Sequence, residues 1–172
     1  MKTTRYTCGV LTLSDKGARG EREDTSGPML QQLLTEQGFS VTAYQIIPDQ
    51  QLLIQAILTK WVDEKGIDLI ITTGGTGVSP SDRTPEATRQ VIDMEIPGIG
   101  EAMRQASLAK TPRAIWSRGI AGIRKKSLII NLPGSEKGAK ENIEAVLPAL
   151  AHGLYKLKGG TADCGQKKEG EG

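Results

Sequence analysis

The chain has 172 residues, 37% of them hydrophobic and 24% charged, which suits one soluble domain with a sizeable core and is tight for two. Aromatic residues make up only 3%, so the core must be aliphatic and stacking on aromatic platforms is not the expected binding mode. A net charge of +2 is too mild for the dense basic face of a nucleic-acid binder, but it leaves room for a local phosphate site.

The first strand is expected at residues 6 to 14, "YTCGVLTLS", followed by the polar loop "DKGARGERED". Asp24, Thr25 or Ser26 can cap a helix whose Met29, Leu30, Leu33 and Leu34 share one face, closed by Gly38. "FSVTAYQIIP" reads as a second strand stopping at Pro48, and Asp49 opens the helix "QQLLIQAILTKWVDEKG". "IDLIITT" is a continuous apolar run, the pattern of a strand buried on both faces in a parallel sheet. The loop "GGTGVSPSDR" leads into the helix "TPEATRQVIDM", with Pro85 in its first turn.

"IPGIGE" is expected to be a break and "EAMRQASLAK" a further helix. "RAIWSRGIAGIRKKSLIINLPG" reads as strand, glycine-containing connection and strand. The last helix carries Ile143, Val146, Leu147, Leu150, Leu154 and Leu157 on one face, with a kink or break expected at Pro148. Residues 159–172 have nothing to bury and are expected to form a disordered tail behind a single domain spanning 1–158. Strands alternating with helices imply an α/β fold: a three-layer, doubly wound domain with a mostly parallel central sheet.

Cys8 lies in the first apolar run and Cys164 in the tail, so both are read as reduced thiols. His152 is the only histidine and no zinc-type cysteine pair occurs, which argues against a zinc site or a histidine-based triad. "MKTTRYTCGV" lacks a signal-peptide pattern, and no apolar stretch approaches the ~20 residues of a membrane span. The expectation is a cytoplasmic protein with neither membrane nor nucleic acid as partner.

In doubly wound sheets ligands bind beyond the carboxyl ends of the strands. "LSDKG", "IPDQ", "TTGGTG" and "LPGS" all fall there. Gly74, Gly75, Thr76 and Gly77 fit either a tight turn or a loop whose N–H groups approach phosphate oxygens. The lysine-bearing P-loop motif is absent, and Gly98-Ile99-Gly100 lacks the third glycine of a dinucleotide fingerprint. Asp49 and Asp82 each precede a helix, so each can be a cap. If their carboxylates converge to ~4 Å they repel by several kcal/mol at an effective dielectric near ~20, unless a cation such as Mg²⁺ lies between them. Asp15 beside Ser14 has the same ambiguity. Asn131, Pro133, Gly134 and Ser135 offer a second anion site or a capped turn, and Glu101 reads as a helix-start carboxylate.

Taken in order, "LTLSDKG", "IPD", "TTGGTG…D.TPEAT", "IPGIGEAMR" and "AIWSRGIAGIRKKSLIINLPGS" resemble the molybdopterin adenylyltransferases, the MogA type, related to MoaB-type proteins and the gephyrin G domain. The resemblance runs from about Tyr6 to Leu157. It implies an α/β fold, a homotrimer, and Mg²⁺-dependent transfer of AMP from ATP to the terminal phosphate of molybdopterin, with release of pyrophosphate. It further implies that Asp49 and Asp82 are catalytic and linked to Mg²⁺. Gly74, Gly75, Thr76, Gly77, Ser79 and Glu101 match the nucleotide side. Ser14, Asp15, Ser107, Asn131, Pro133, Gly134 and Ser135 match the molybdopterin side.

The chain departs from the pattern of many members at Ser81 and Arg83, where they carry a cation before the aspartate and Val after it, and at Ile99, where they carry Phe. Other readings of the same residues are a MoaB-like protein that binds molybdopterin or nucleotide with little transfer, a scaffolding role, and a nucleotide hydrolase. Hand-over of product to a molybdenum-inserting protein is a further implied partnership.

Overall fold

The computed structural model describes residues 6–161, so Cys164 and most of the expected tail lie outside the described residues. Strands β1 (Thr7–Leu13), β2 (Ser40–Ile47), β3 (Leu69–Thr73), β4 (Met94–Glu95), β5 (Ala121–Arg124) and β6 (Ser127–Leu132) form one sheet in the order β2-β1-β3-β6-β5-β4. The β1–β2, β1–β3 and β3–β6 pairs are parallel, while β5–β6 and β4–β5 are antiparallel. The mostly parallel α/β sheet is as the strand–helix alternation implied.

Side-chain alternation along the central strands builds two cores. Cys8 and Val10 of β1, Leu69 and Ile71 of β3, and Leu128, Ile130 and Leu132 of β6 face one side. There they meet α2 (Ser26–Glu36), α5 (Pro97–Leu108) and α6 (Glu136–Leu157) through residues such as Leu30, Met103 and Ile143. Leu11, Ile70 and Ile129 point the other way, onto Ile54, Leu58 and Trp61 of α3 (Gln51–Asp63) and Ala87 and Val91 of α4 (Thr84–Val91). Each fully buried Leu or Ile contributes about 1.5–3 kcal/mol relative to exposure, so the core rests mainly on aliphatic side chains, with Phe39 and Trp61 the aromatics buried among them. A four-residue helix, α1 (Asp15–Ala18), has no buried residue and sits at the sheet edge.

Three expectations are corrected. "IPGIGE" is no break, because α5 begins at Pro97, whose missing N–H costs nothing at a first helical position. "RAIW" belongs to a 3-10 turn (Pro112–Trp116), the first strand of that region is Ala121–Arg124, and the connection to β6 is made by Lys125 and Lys126. Lys125 takes the left-handed φ of 53° that this turn requires. Finally, no break occurs at Pro148: α6 runs on through that exposed residue, while Val146, Leu150 and Leu154 hold both halves against the core. No helix among the described residues is long and apolar enough to cross a membrane.

Candidate active site

Because β2, β1, β3 and β6 run parallel, their carboxyl ends open on one edge of the sheet. Backbone bonds pull the four following loops together there: Ser14 donates to the Ile47 carbonyl (2.9 Å), and Gly74 to the Leu132 carbonyl (3.1 Å). Thr73 Oγ1 donates to the Pro133 carbonyl at 2.7 Å and Ser26 Oγ to the Gly134 carbonyl at 2.9 Å. The result is a cavity of about 550 Å³ lined by Ser14, Asp15, Asp49, Gly74, Gly75, Asp82, Gly134 and Ser135, among others. Its size falls within the range of roughly 300–1,000 Å³ typical of small-molecule sites.

Neither aspartate of the "IPD" and post-glycine loops caps a helix. The residue at the start of α3 is Gln50, that of α4 is Arg83, and neither makes a side-chain cap bond. Thr84, the other expected cap, instead donates its hydroxyl to the Gly74 carbonyl at 2.9 Å. Asp49 donates its backbone N–H to Asp15 Oδ1 at 3.0 Å, while its own Oδ1 is buried without a hydrogen-bond partner. Burial pushes the Asp49 carboxyl up to about 6, and the Asp15 and Asp82 carboxylates push in the same direction. Asp82 is anchored within its own loop. Its Oδ2 accepts from Ser79 N–H at 2.9 Å, and its N–H donates to the Ser79 carbonyl at 2.9 Å.

The glycines are needed for this approach. Gly74 and Gly75 have φ of 105° and 66°, conformations that side chains rarely adopt. A Cβ on Gly75 would stand 2.8 Å from Asp49 Oδ1, and one on Gly77 would stand 2.8 Å from Asp82 Oδ2. Both carboxylates therefore press on the glycine backbone that a phosphate would otherwise share.

Ser14 and Ser135 line the cavity but also cap, accepting from Gly17 N–H (3.0 Å) and Gly138 N–H (3.2 Å). The remaining expected site residues do not line it. Asn131 is fully buried, with its amide nitrogen committed to Thr72 Oγ1 (3.0 Å) and Thr88 Oγ1 (2.9 Å). Ser107 accepts from Asn142 between α5 and α6 (2.6 Å). Pro133 touches the site only through the bond from Thr73 to its carbonyl. Thr76 is buried, Gly77 half-buried and Ser79 exposed on the far stretch of the glycine loop. Glu101 is exposed in the second turn of α5, not at its start, since the helix begins four residues earlier at Pro97.

Sequence reasoning missed the cavity's other wall, the segment from Lys16 to Ser26. Lys16 and Arg22 bring cations to it and Glu23 and Asp24 bring carboxylates. Asp24 accepts from Thr12 Oγ1 and Tyr44 Oη (both 2.6 Å) and from Gly27 N–H (2.9 Å). The available signal was the cluster "EREDTS", six consecutive polar residues where a helix cap requires one.

Residues 9–152 match the family described as "Probable molybdopterin binding domain". A Helicobacter pylori (strain J99) protein named molybdopterin adenylyltransferase is 45% identical over 161 residues, covering 92% of each chain. The Escherichia coli K12 protein of the same name is 42% identical over 163 residues, covering 90% of this chain and 82% of that one. A solved structure of the molybdopterin biosynthesis enzyme MoaB from Thermus thermophilus superimposes with a TM-score of 0.85 at 52% identity, covering 90% and 97% of the two chains. With four loops converging on one cavity and matches over nearly the whole length, the chain belongs to the molybdopterin-binding domain family.

Proposed function

We propose that this chain is a molybdopterin adenylyltransferase: it transfers AMP from ATP to the terminal phosphate of molybdopterin and releases pyrophosphate. The observation that carries the reading is the convergence of Asp49 and Asp82 on the Gly74–Gly77 turn, Asp49 against Gly75 and Asp82 against Gly77, with Asp49 Oδ1 buried and unpartnered. A buried carboxylate oxygen without a donor is costly unless a ligand group or cation meets it. The names of the Helicobacter and Escherichia relatives support the same chemistry.

In this reaction an oxygen of the molybdopterin phosphate bonds to the α-phosphorus of ATP, and the bond from that phosphorus to the pyrophosphate oxygen breaks. The nucleophile and the electrophile are both anions, so the protein's task is to align them and offset their charge. In our reading the Gly74–Gly77 turn offers N–H groups to the nucleotide phosphates, and Ser79 and Glu101 lie on the nucleotide side. Ser14, Asp15, Gly134 and Ser135 face molybdopterin, with Lys16 and Arg22 as the cations nearest the cavity. Asn131, Pro133 and Ser107 serve that side indirectly, by holding the loops and helices behind it.

Asp49 and Asp82 fit Mg²⁺. Their oxygens are the hard donors it prefers, and Mg²⁺ is commonly held by one or two carboxylates plus substrate phosphates. Among the described residues no group of three carboxylate, histidine or cysteine side chains forms a closed metal cage. When bound, the ion would supply charge neutralisation at the phosphates. The homotrimer, the cytoplasmic location and hand-over to a molybdenum-inserting protein belong to the same reading. Ile115 and Trp116, 70% and 65% exposed on the turn after α5, offer apolar surface for an interface between copies. Sedimentation at micromolar concentration tests the trimer directly.

The deciding experiment supplies Mg²⁺, ATP and molybdopterin and measures pyrophosphate. Release that depends on molybdopterin supports the transferase. Equal release without the pterin would overturn it in favour of a hydrolase, and no release with either would favour a binding protein.

A further inference from the structure

We infer that Arg118 is a positioning residue for the reaction, acting through Asp82. The proposal rests on the adenylyl-transfer reading above and identifies a residue outside the cavity. Arg118 lies in the connection between the 3-10 turn and β5, on the antiparallel margin of the sheet. Yet all its hydrogen bonds run to the glycine loop and its exit. Its backbone N–H donates to the Thr76 carbonyl at 2.8 Å. Its guanidinium donates to the Gly77 carbonyl through Nε (2.6 Å), to the Asp82 carbonyl through Nη2 (3.0 Å) and to Glu86 through Nη1.

These bonds make a clamp. Gly77 and Asp82 are the two ends of one loop, and a single planar guanidinium holds both. Within the loop, Asp82 is bonded to Ser79, so that contact travels with the loop and cannot place it. Placement relative to Asp49 comes from outside: from Thr84, which bonds to Gly74 and Gly75, and from Arg118. Glu86 in the first turn of α4 fixes the direction of the guanidinium and balances its charge. Arg118 therefore sets how far the Asp82 carboxylate stands from Asp49 without touching either substrate. Lysine cannot replace it, because an ammonium cannot bridge two carbonyls and a carboxylate in one plane.

The test is a double-mutant cycle on pyrophosphate release with Mg²⁺, ATP and molybdopterin, alongside amide hydrogen exchange of the full chain. Arg118→Lys is expected to lower kcat about tenfold or more with little change in KM for molybdopterin, as small displacements of a reacting geometry do. In the Asp82→Asn background the same substitution should lower residual turnover by less than about twofold, since coupled residues are not additive. Exchange at residues 77–83 should rise in Arg118→Lys while the β1, β3 and β6 amides keep their protection. Losses that multiply in the double variant, or an unimpaired Arg118→Lys, overturn the proposal and leave the transferase standing. A fully active Asp82→Asn sinks the role of Asp82 itself, and is visible in that single variant alone. A global rise in exchange instead of a local one assigns Arg118 to stability and also overturns the proposal; Arg118→Gln and Glu86→Gln serve as independent loosenings of the same clamp.

Discussion

Helix α3 is flanked by two aspartates, Asp49 just before its start and Asp63 as its last residue, and they live in opposite circumstances. Asp63 is met from the antiparallel hairpin by Arg124 (2.6 Å) and Lys125 (3.0 Å), and those hydrogen bonds hold its carboxyl down to about 2. Asp49 faces Asp15 and Asp82 across the cavity, and burial with two like charges raises it to about 6. The same residue type at the two ends of one helix is thus satisfied at one end and left in want of a partner at the other. Parallel strand ends gather loops, so unpaired charge accumulates there, whereas the hairpin returns its cations to the opposite edge of the sheet. A group left unsatisfied in a cavity marks a ligand site, and a paired surface group does not.

The comparison breaks most visibly in turnover. Asp49→Asn and Asp82→Asn keep shape and remove charge, and each is expected to lower molybdopterin-dependent pyrophosphate release about a hundredfold or more, the scale of losing one preorganised electrostatic group. Circular dichroism should show the fold intact. Next in size is Gly75→Ala. It forces a left-handed φ on a residue with a Cβ and presses on Asp49 Oδ1, so urea denaturation should show a loss of about 2–3 kcal/mol.

Acid titration sharpens the contrast further. Asp49 rises from an ordinary value of 3.8 to about 6, so between those values the folded state binds a proton that the unfolded chain releases. Stability through this group therefore increases as pH falls from 7 toward 5, by about 1–2 kcal/mol once solvent screening is discounted. Asp49→Asn should abolish that rise in a melting series, and Mg²⁺ should stabilise the parent less as pH drops through 6. Turnover needs the ionised form and should fall over the same interval. Asp63 has the opposite sign: its depressed value contributes stability above the ordinary carboxylate range, lost as pH falls from about 4 toward 2. Asp63→Asn should give the smallest effect of the series, a slight and salt-dependent drop in melting temperature with turnover unchanged.

How much was legible follows from how local each signal is. The alternation of apolar runs with helical spacing was enough for β1, α2, β2, α3 and β3, whose burial patterns repeat it. "IPGIGE" and "RAIW" were misread because glycine, proline and a short apolar run are compatible with several conformations, and only neighbouring elements choose among them. Asn131 looked like a ligand residue from its place at a strand end, but side-chain alternation on β6 turns it inward toward Thr72 and Thr88. Arg118 lay inside a family motif but nothing marked its role, because its partners lie 32 to 42 residues away along the chain.

The chain by itself determined the strand–helix alternation, the aliphatic core, the loops at four strand ends and the motifs that mark its family, because each of these is a property of residues adjacent in sequence. Only the tertiary structure decided that Asp49 and Asp82 would be freed from capping, that Asp49 would be raised and unpartnered, and that Lys16, Arg22 and Asp24 would wall the cavity. The physical reason is desolvation and charge: both depend on which groups the folded chain brings within a few ångströms, and sequence spacing does not record that distance.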